Sequence, residues 1–294
     1  MIYRRYLTPI FLTILPLLLF ILQSCEKFSD GQSVPAYLKI DSIYLVIKSS
    51  TQGSSSQNIT DAWVYVDEEL LGTFQMPANL PVLKTGKHTV TIFAGIKKNG
   101  IAATRGAYPF YAPITMQVNF KPDSASSLGV LSTTYLSTTN FLWMEDFEDA
   151  GFTLDTTTRS SFAIKKTPEG SPLTFEGVHS GIITMDTISK QFECVTHTAF
   201  AVPNAPVYLE LNFNTNTNII VGTIVYISSE IVQEPVITLR PTSGKWKKIY
   251  IELTNALNNV EGATVFKIWL GNDYTAGGYN GQILIDNMKL VTYK

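Results

Sequence analysis

Apolar and polar positions alternate along most of this chain with a period of two. Ala62, Val64 and Val66 take one face of a segment, and Trp63, Tyr65 and Asp67 take the other, the pattern of a strand buried on one side. Leu38 and Ile40, followed by the run Ile43 to Ile47, predict an earlier strand, and Val118 and Phe120 a later one. Beyond residue 140 the pattern marks strands at Val207, Leu209, Leu211 and Phe213, and at Ile249, Ile251 and Leu253. Phe266, Ile268 and Leu270 mark another, and Ile283 to Leu290 the last. Asn99-Gly100 predicts a tight hairpin, and Gly277-Gly278 with Asn280-Gly281 a turn before the last strand, because Asn and Gly tolerate the positive φ such turns need. No helical period is sustained after residue 24 apart from a short turn near Glu252 to Val260, and no fixed-period repeat occurs. Many short strands separated by turn residues predict an all-β chain of β-sandwiches.

Two polar stretches interrupt the strands. Ser49 to Gln57 is a Ser/Gly/Gln loop. Lys121 to Asn140 is rich in Ser and Thr and opens with Pro122-Asp123, which is turn chemistry. These give a first sandwich over 37–121, a linker over 122–140 and a larger sandwich over 141–294.

The amino end follows another rule. Arg4 and Arg5 precede an apolar run from Ile10 to Leu22, which closes on Leu22-Gln23-Ser24-Cys25. The run is shorter than the roughly 20 apolar residues of a membrane span. A charged start, a short apolar stretch and a small residue before cysteine resemble a bacterial lipoprotein signal peptide. That resemblance implies a signal peptide over 1–24, lipidation of Cys25 and a polar tether over 25–36. The expected location is the outer membrane, held by the lipid anchor, with the periplasmic or outer face left open.

Charge and cysteine usage narrow the function. The chain carries 22 basic and 24 acidic residues; removing Arg4 and Arg5 leaves 20 against 24, a net charge near −4. No Lys/Arg cluster stands out, so no nucleic-acid partner is expected. With Cys25 lipidated, Cys194 has no partner in the chain for a disulfide, and it reads as a buried apolar residue. Glu145, Asp146, Glu148 and Asp149 are clustered without singling out an acid–base pair. His88, His179 and His197 lack zinc spacing, and no Gly-x-Ser-x-Gly elbow occurs. The expectation is a protein that is not an enzyme.

Two stretches resemble known modules. Ala62-Trp63-Val64-Tyr65-Val66-Asp67, Leu71-Gly72-Thr73 and Gly86-Lys87-His88-Thr89-Val90 are similar to a PEGA-type small β-sandwich, with Gln75-Met76-Pro77-Ala78 where that family has Pro-Glu-Gly-Ala. The second half is similar to carbohydrate-binding-like jelly-roll modules of bacterial envelope proteins. Trp143-Met144-Glu145-Asp146-Phe147-Glu148, Trp246 to Ile251 and Ile283-Leu284-Ile285-Asp286-Asn287 carry that likeness. Together they resemble envelope lipoproteins of Bacteroidota-type bacteria, which implies a location and an architecture but no reaction. The jelly-roll likeness also implies a structural calcium ion held by Glu145, Glu148 and Asp286. The alternative is that Asp286-Asn287 makes a bulge whose side chains bond nearby amides.

Aromatic positions bear on ligand binding. Trp246, Lys248, Tyr250 and Glu252 share the face opposite the core positions of their strand, and Lys267 and Trp269 do the same in theirs. Tyr208 shares a face with Glu210 and Asn212. Sugar rings present apolar C–H faces and a rim of hydroxyls, so aromatic planes beside Lys, Glu and Asn suit them. Trp246, Tyr250 and Trp269 are therefore the candidate ligand platform, for glycan recognition or adhesion. The same aromatics would be core if a loop or the other domain covers them. The rival function is a structural accessory subunit of an outer-membrane complex, with an envelope protein as partner.

Overall fold

The period-two segments are strands, and they build two β-sandwiches. The computed structural model describes residues 34–186, 191–228, 230–272 and 280–294. Cys25, the signal peptide and Gly277-Gly278 lie outside them.

The first unit holds β1 (Ala36–Ile40), β2 (Ser42–Leu45), β3 (Asp61–Val66), β4 (Glu69–Gln75) and β5 (Ala78–Val82). It continues with β6 (Gly86–Lys97), β7 (Arg105–Ala107), β8 (Ile114–Phe120), β9 (Ala125–Ser127) and β10 (Val130–Thr133). One sheet runs β4-β3-β6, with β7 and β8 both paired to the far edge of β6. Two small sheets, β5-β1-β9 and β10-β2, enclose the core with it. Ala62, Val64 and Val66 point into that core, as their alternation requires. The β3–β4 hairpin turns through Asp67 and Glu68 at φ 51° and 68°. Asp67 pins it: its carboxylate accepts from the Thr89 amide at 3.0 Å and lies 2.6 Å from His88 Nδ1.

Most of residues 122–140, expected as a linker, belongs to the first unit instead, and its last two residues open a strand of the second. β9 lies parallel to β1 and β10 parallel to β2, and Tyr135 is buried against Tyr111. Parallel pairing joins segments distant in sequence, so no local pattern announces it.

The second unit holds β11 (Thr139–Glu145), β12 (Leu154–Thr156), β13 (Lys165–Lys166), β14 (Gly181–Met185), β15 (Glu193–Thr196) and β16 (Phe200–Ala201). Then follow β17 (Tyr208–Thr215), β18 (Ile219–Tyr226), β19 (Ile231–Leu239), β20 (Lys247–Glu252), a short helix α1 (Thr254–Asn258), β21 (Val265–Asn272) and β22 (Gly281–Tyr293). One six-stranded sheet has the order β13-β14-β22-β17-β20, with β11 also on β22. The other runs β12-β15-β21-β18-β19, with β16 on β21. Leu209, Leu211, Ile249 and Ile251 from the first sheet meet Phe266, Ile268 and Leu270 from the second in one core. Cys194 is fully buried within it.

The two units share a core. Tyr208, Tyr250 and Val291 of the second pack with the apolar residues of the first.

Candidate functional site

Period two leaves every strand a second face, and the outer face of the β17–β20–β22 sheet is where the units meet. Tyr208, Glu210 and Asn212 project there from β17 and pair in register with Glu252, Tyr250 and Lys248 of β20. Lys289 stands opposite Glu210 on β22. Two loops of the first unit lie over this face. From Ser49–Asn58, the Asn58 amide donates to Tyr250 Oη at 3.1 Å and its side chain to the Lys248 carbonyl at 3.1 Å. From the β7–β8 connection, the Tyr108 ring packs 4.8 Å from Tyr250 and 5.3 Å from Tyr208.

Charge is buried with the aromatics. Glu210 accepts from the hydroxyls of Tyr108 at 2.7 Å and Tyr135 at 2.9 Å, and lies 3.2 Å from Lys248 Nζ. Lys289 Nζ donates to the Ser54 carbonyl at 2.5 Å and sits 5.2 Å from the centre of the Tyr135 ring. Burial opposes the charge on Glu210, but the two ammonium groups and two tyrosine hydroxyls outweigh it and hold its carboxyl below the ordinary value. Burial pushes both lysines down, Lys289 to about 8. A desolvated carboxylate between two cations is stable only while all three stay together.

This overturns the exposed platform. Tyr250 is 1% exposed because the first unit covers it. Trp269 is 7% exposed and lies on the other sheet, where its Nε1 donates to Glu193 at 3.0 Å. The alternation read their faces correctly, but it carried no information on what covers each face. Trp246 alone of the three stays half-buried.

The three carboxylates expected around calcium are not gathered either. Glu145 accepts from the Phe147 and Thr153 amides, and Glu148 from those of Val178 and His179 at 2.9 and 3.0 Å. Asp286 accepts from Ser180 Oγ at 2.6 Å and from the Asn287 amide at 2.7 Å. Asn287 has φ 49°, and the β17–β22 register shifts beside it, so this stretch forms the bulge. Among the described residues no group of three or more His, Cys, Asp or Glu is placed to hold a metal ion. Backbone amides and hydroxyls occupy most of these carboxylate oxygens.

Where the covered face ends, the units leave a cleft of about 550 Å³. Its first-unit wall is Gln57-Asn58 together with Lys97 and the Asn99-Gly100 turn. That turn has φ 53° and 67°, as its sequence predicts. Asn99 donates its amide to the Tyr250 carbonyl and accepts from the Glu252 amide, both at 2.8 Å, which fastens it to the free edge of β20. The second-unit wall is the end of β19, Arg240-Pro241 and Trp246 to Ile249. Phe175 packs on Trp246 with ring centres 5.1 Å apart, tilted by 45°. A further groove of about 420 Å³ beside Pro35, Leu70, Leu71 and Leu83 is mainly apolar, and it offers few groups for hydroxyl recognition.

No family model matches the sequence, and no curated protein matches it. Solved structures do. A carbohydrate-binding-module structure described as from the β-sandwich superfamily is 13% identical, with 79% of this chain and 84% of that one covered at a TM-score of 0.39. The C-terminal family 22 carbohydrate-binding module of a Clostridium thermocellum protein is 12% identical, with 52% and 94% covered at 0.37. The family 11 module of a cellulosomal cellulase from Clostridium thermocellum is 14% identical, with 52% and 93% covered at 0.35. No residue role passes from those proteins to this chain at such identity.

Sequence reasoning missed most of the cleft. Gln57, Asn58, Lys97 and Arg240 come from separate segments that only the docking of the units brings together. One local signal was present: Lys245-Trp246-Lys247-Lys248 sets a tryptophan among three cations.

Proposed function

We propose that this protein is a non-catalytic glycan-binding protein of the cell envelope, held at the outer membrane by lipid on Cys25, and that its ligand lies in the cleft between the two sandwiches. The observation that carries the reading is Trp246, half-buried in a cleft whose other side is walled by Gln57, Asn58 and Asn99, each keeping one side-chain amide group (Gln57 Nε2, Asn58 Oδ1, Asn99 Nδ2) beyond its internal hydrogen bond. An indole face suits the apolar C–H face of a sugar ring, and amides donate to and accept from its hydroxyls. Pockets that recognise small ligands combine these parts, an apolar wall with a few convergent polar groups.

A glycan array on the protein tests this directly. Trp246→Ala should weaken binding at least about tenfold, as loss of an aromatic anchor does. Trp269→Ala serves as contrast. It removes a buried ring and should lower stability by about 3–5 kcal/mol, whereas Trp246→Ala should cost clearly less. Glycan binding unaffected by Trp246→Ala would sink the assignment of the cleft.

A further inference from the structure

The cleft is cationic on a chain that is not. Lys97, Arg240, Lys247 and Lys248 line it, and among the described residues no aspartate or glutamate does, although the chain as a whole carries a net charge of −2. Lys248 is occupied, since its ammonium lies 3.2 Å from the buried Glu210 carboxylate. Among the described residues, Lys97, Arg240 and Lys247 have no carboxylate within ion-pair distance. They come from β6, from the residue after β19 and from the first residue of β20, so three separate segments bring cationic residues to the wall of one concavity. Like charges repel, and walls of low dielectric sharpen the field between them. Exposed cations without a carboxylate partner leave the cleft with a positive field that attracts an anion.

We infer that the ligand is an anionic saccharide, one whose rings carry carboxylate or sulfate groups. This rests on the glycan reading above and names the class of sugar. Trp246 takes the apolar face of a ring, while Lys97, Arg240 and Lys247 take its charged substituents. Arg240 adds a planar fork that meets a carboxylate or sulfate through two parallel hydrogen bonds. Neutral sugars would leave all three cations without a partner.

Paired polymers that differ only in charge provide the test, using the full chain in detergent. One pair is polygalacturonate and its fully methyl-esterified form; the other is a sulfated galactan and its desulfated form. Calorimetry should show at least one charged member binding about tenfold more tightly than its neutral counterpart at low salt. That preference should shrink near 0.5 M salt, where the screening length falls to roughly 4 Å. The pair that responds identifies carboxylate or sulfate as the anion. Lys247→Gln and Arg240→Gln should each reduce the preference about threefold, as expected for exposed charge contacts, with the melting temperature unchanged. Equal binding of charged and neutral members overturns the anionic preference and leaves the glycan reading standing. Failure to bind either charged member overturns the anionic preference, and the glycan array then decides the glycan reading separately. Polyglutamate bound as tightly as the charged polysaccharides also overturns the inference, because charge without a sugar ring would then suffice.

Discussion

Asp286 shows how a single buried carboxyl writes itself into the pH dependence of the fold. It is 1% exposed, and burial pushes it up to about 7 from an ordinary value of 3.8. Its hydrogen bonds from Ser180 and Asn287 pull the other way and do not offset that burial. The folded chain therefore holds this proton more tightly than the unfolded chain does. Stability from Asp286 is fully present below about pH 4 and is lost as the pH rises through about 7, on the order of 4 kcal/mol in all. Lys289 acts in the opposite sense, with its contribution full above 10.5 and lost as the pH falls through about 8. Denaturant titrations at successive pH values should show stability falling between pH 4 and 7, and Asp286→Asn should flatten that slope. An unchanged slope in the variant would mean that other groups set it.

At the scale of elements, the hairpin turn at Asn99-Gly100 carries more than its strands. The Asn99 carboxamide satisfies the Glu252 amide on the free edge of β20, which among the described residues otherwise has no partner strand on that side. Asn99→Ala should cost about 1–3 kcal/mol, the penalty of an unpaired amide, and should weaken ligand binding because the turn is also a wall of the cleft. Loss of stability without loss of binding would separate the turn from the site. The turn itself was legible, since Asn-Gly demands it, and so were the strand faces of β17, β20 and β21, since alternation fixes parity. The covering of those faces was not. Tyr108-Pro109-Phe110-Tyr111 carries no periodic signal, yet it seals Tyr208 and Tyr250. Period two says that a strand has two faces, and only tertiary contact says whether the second meets water. The Ser/Thr-rich stretch after residue 121 misled for a related reason. Composition favours a loop there, while pairing with β1 and β2 makes strands of it.

For the whole molecule, the shared interface decides whether the two sandwiches are separable. Tyr208, Tyr250 and Val291 are core residues of the first unit although the second supplies them. The Glu210–Lys248–Lys289 cluster is closed by Tyr108 and Tyr135 of the first unit. Removing the first unit would expose this apolar area to water and strip Glu210 of both tyrosine donors. The first change is unfavourable because apolar area returns to water, and the second undoes the enclosed Glu210–Lys248–Lys289 arrangement by letting water reach it. Calorimetry of the intact chain should therefore give one cooperative transition whose van't Hoff and calorimetric enthalpies agree. A fragment over 141–294 should bind a hydrophobic dye and melt at least about 10 °C lower, since losing several kcal/mol shifts the midpoint of a domain this size by that order. Because both units wall the cleft, the fragment should also lose the ligand, even where it still folds. Protease should spare 122–140 in the intact chain, as β9 and β10 are paired there. Two resolved transitions, with a fragment as stable as its counterpart in the full chain, would instead mean that the interface is weak. The cleft would then open and close with the motion of the two units.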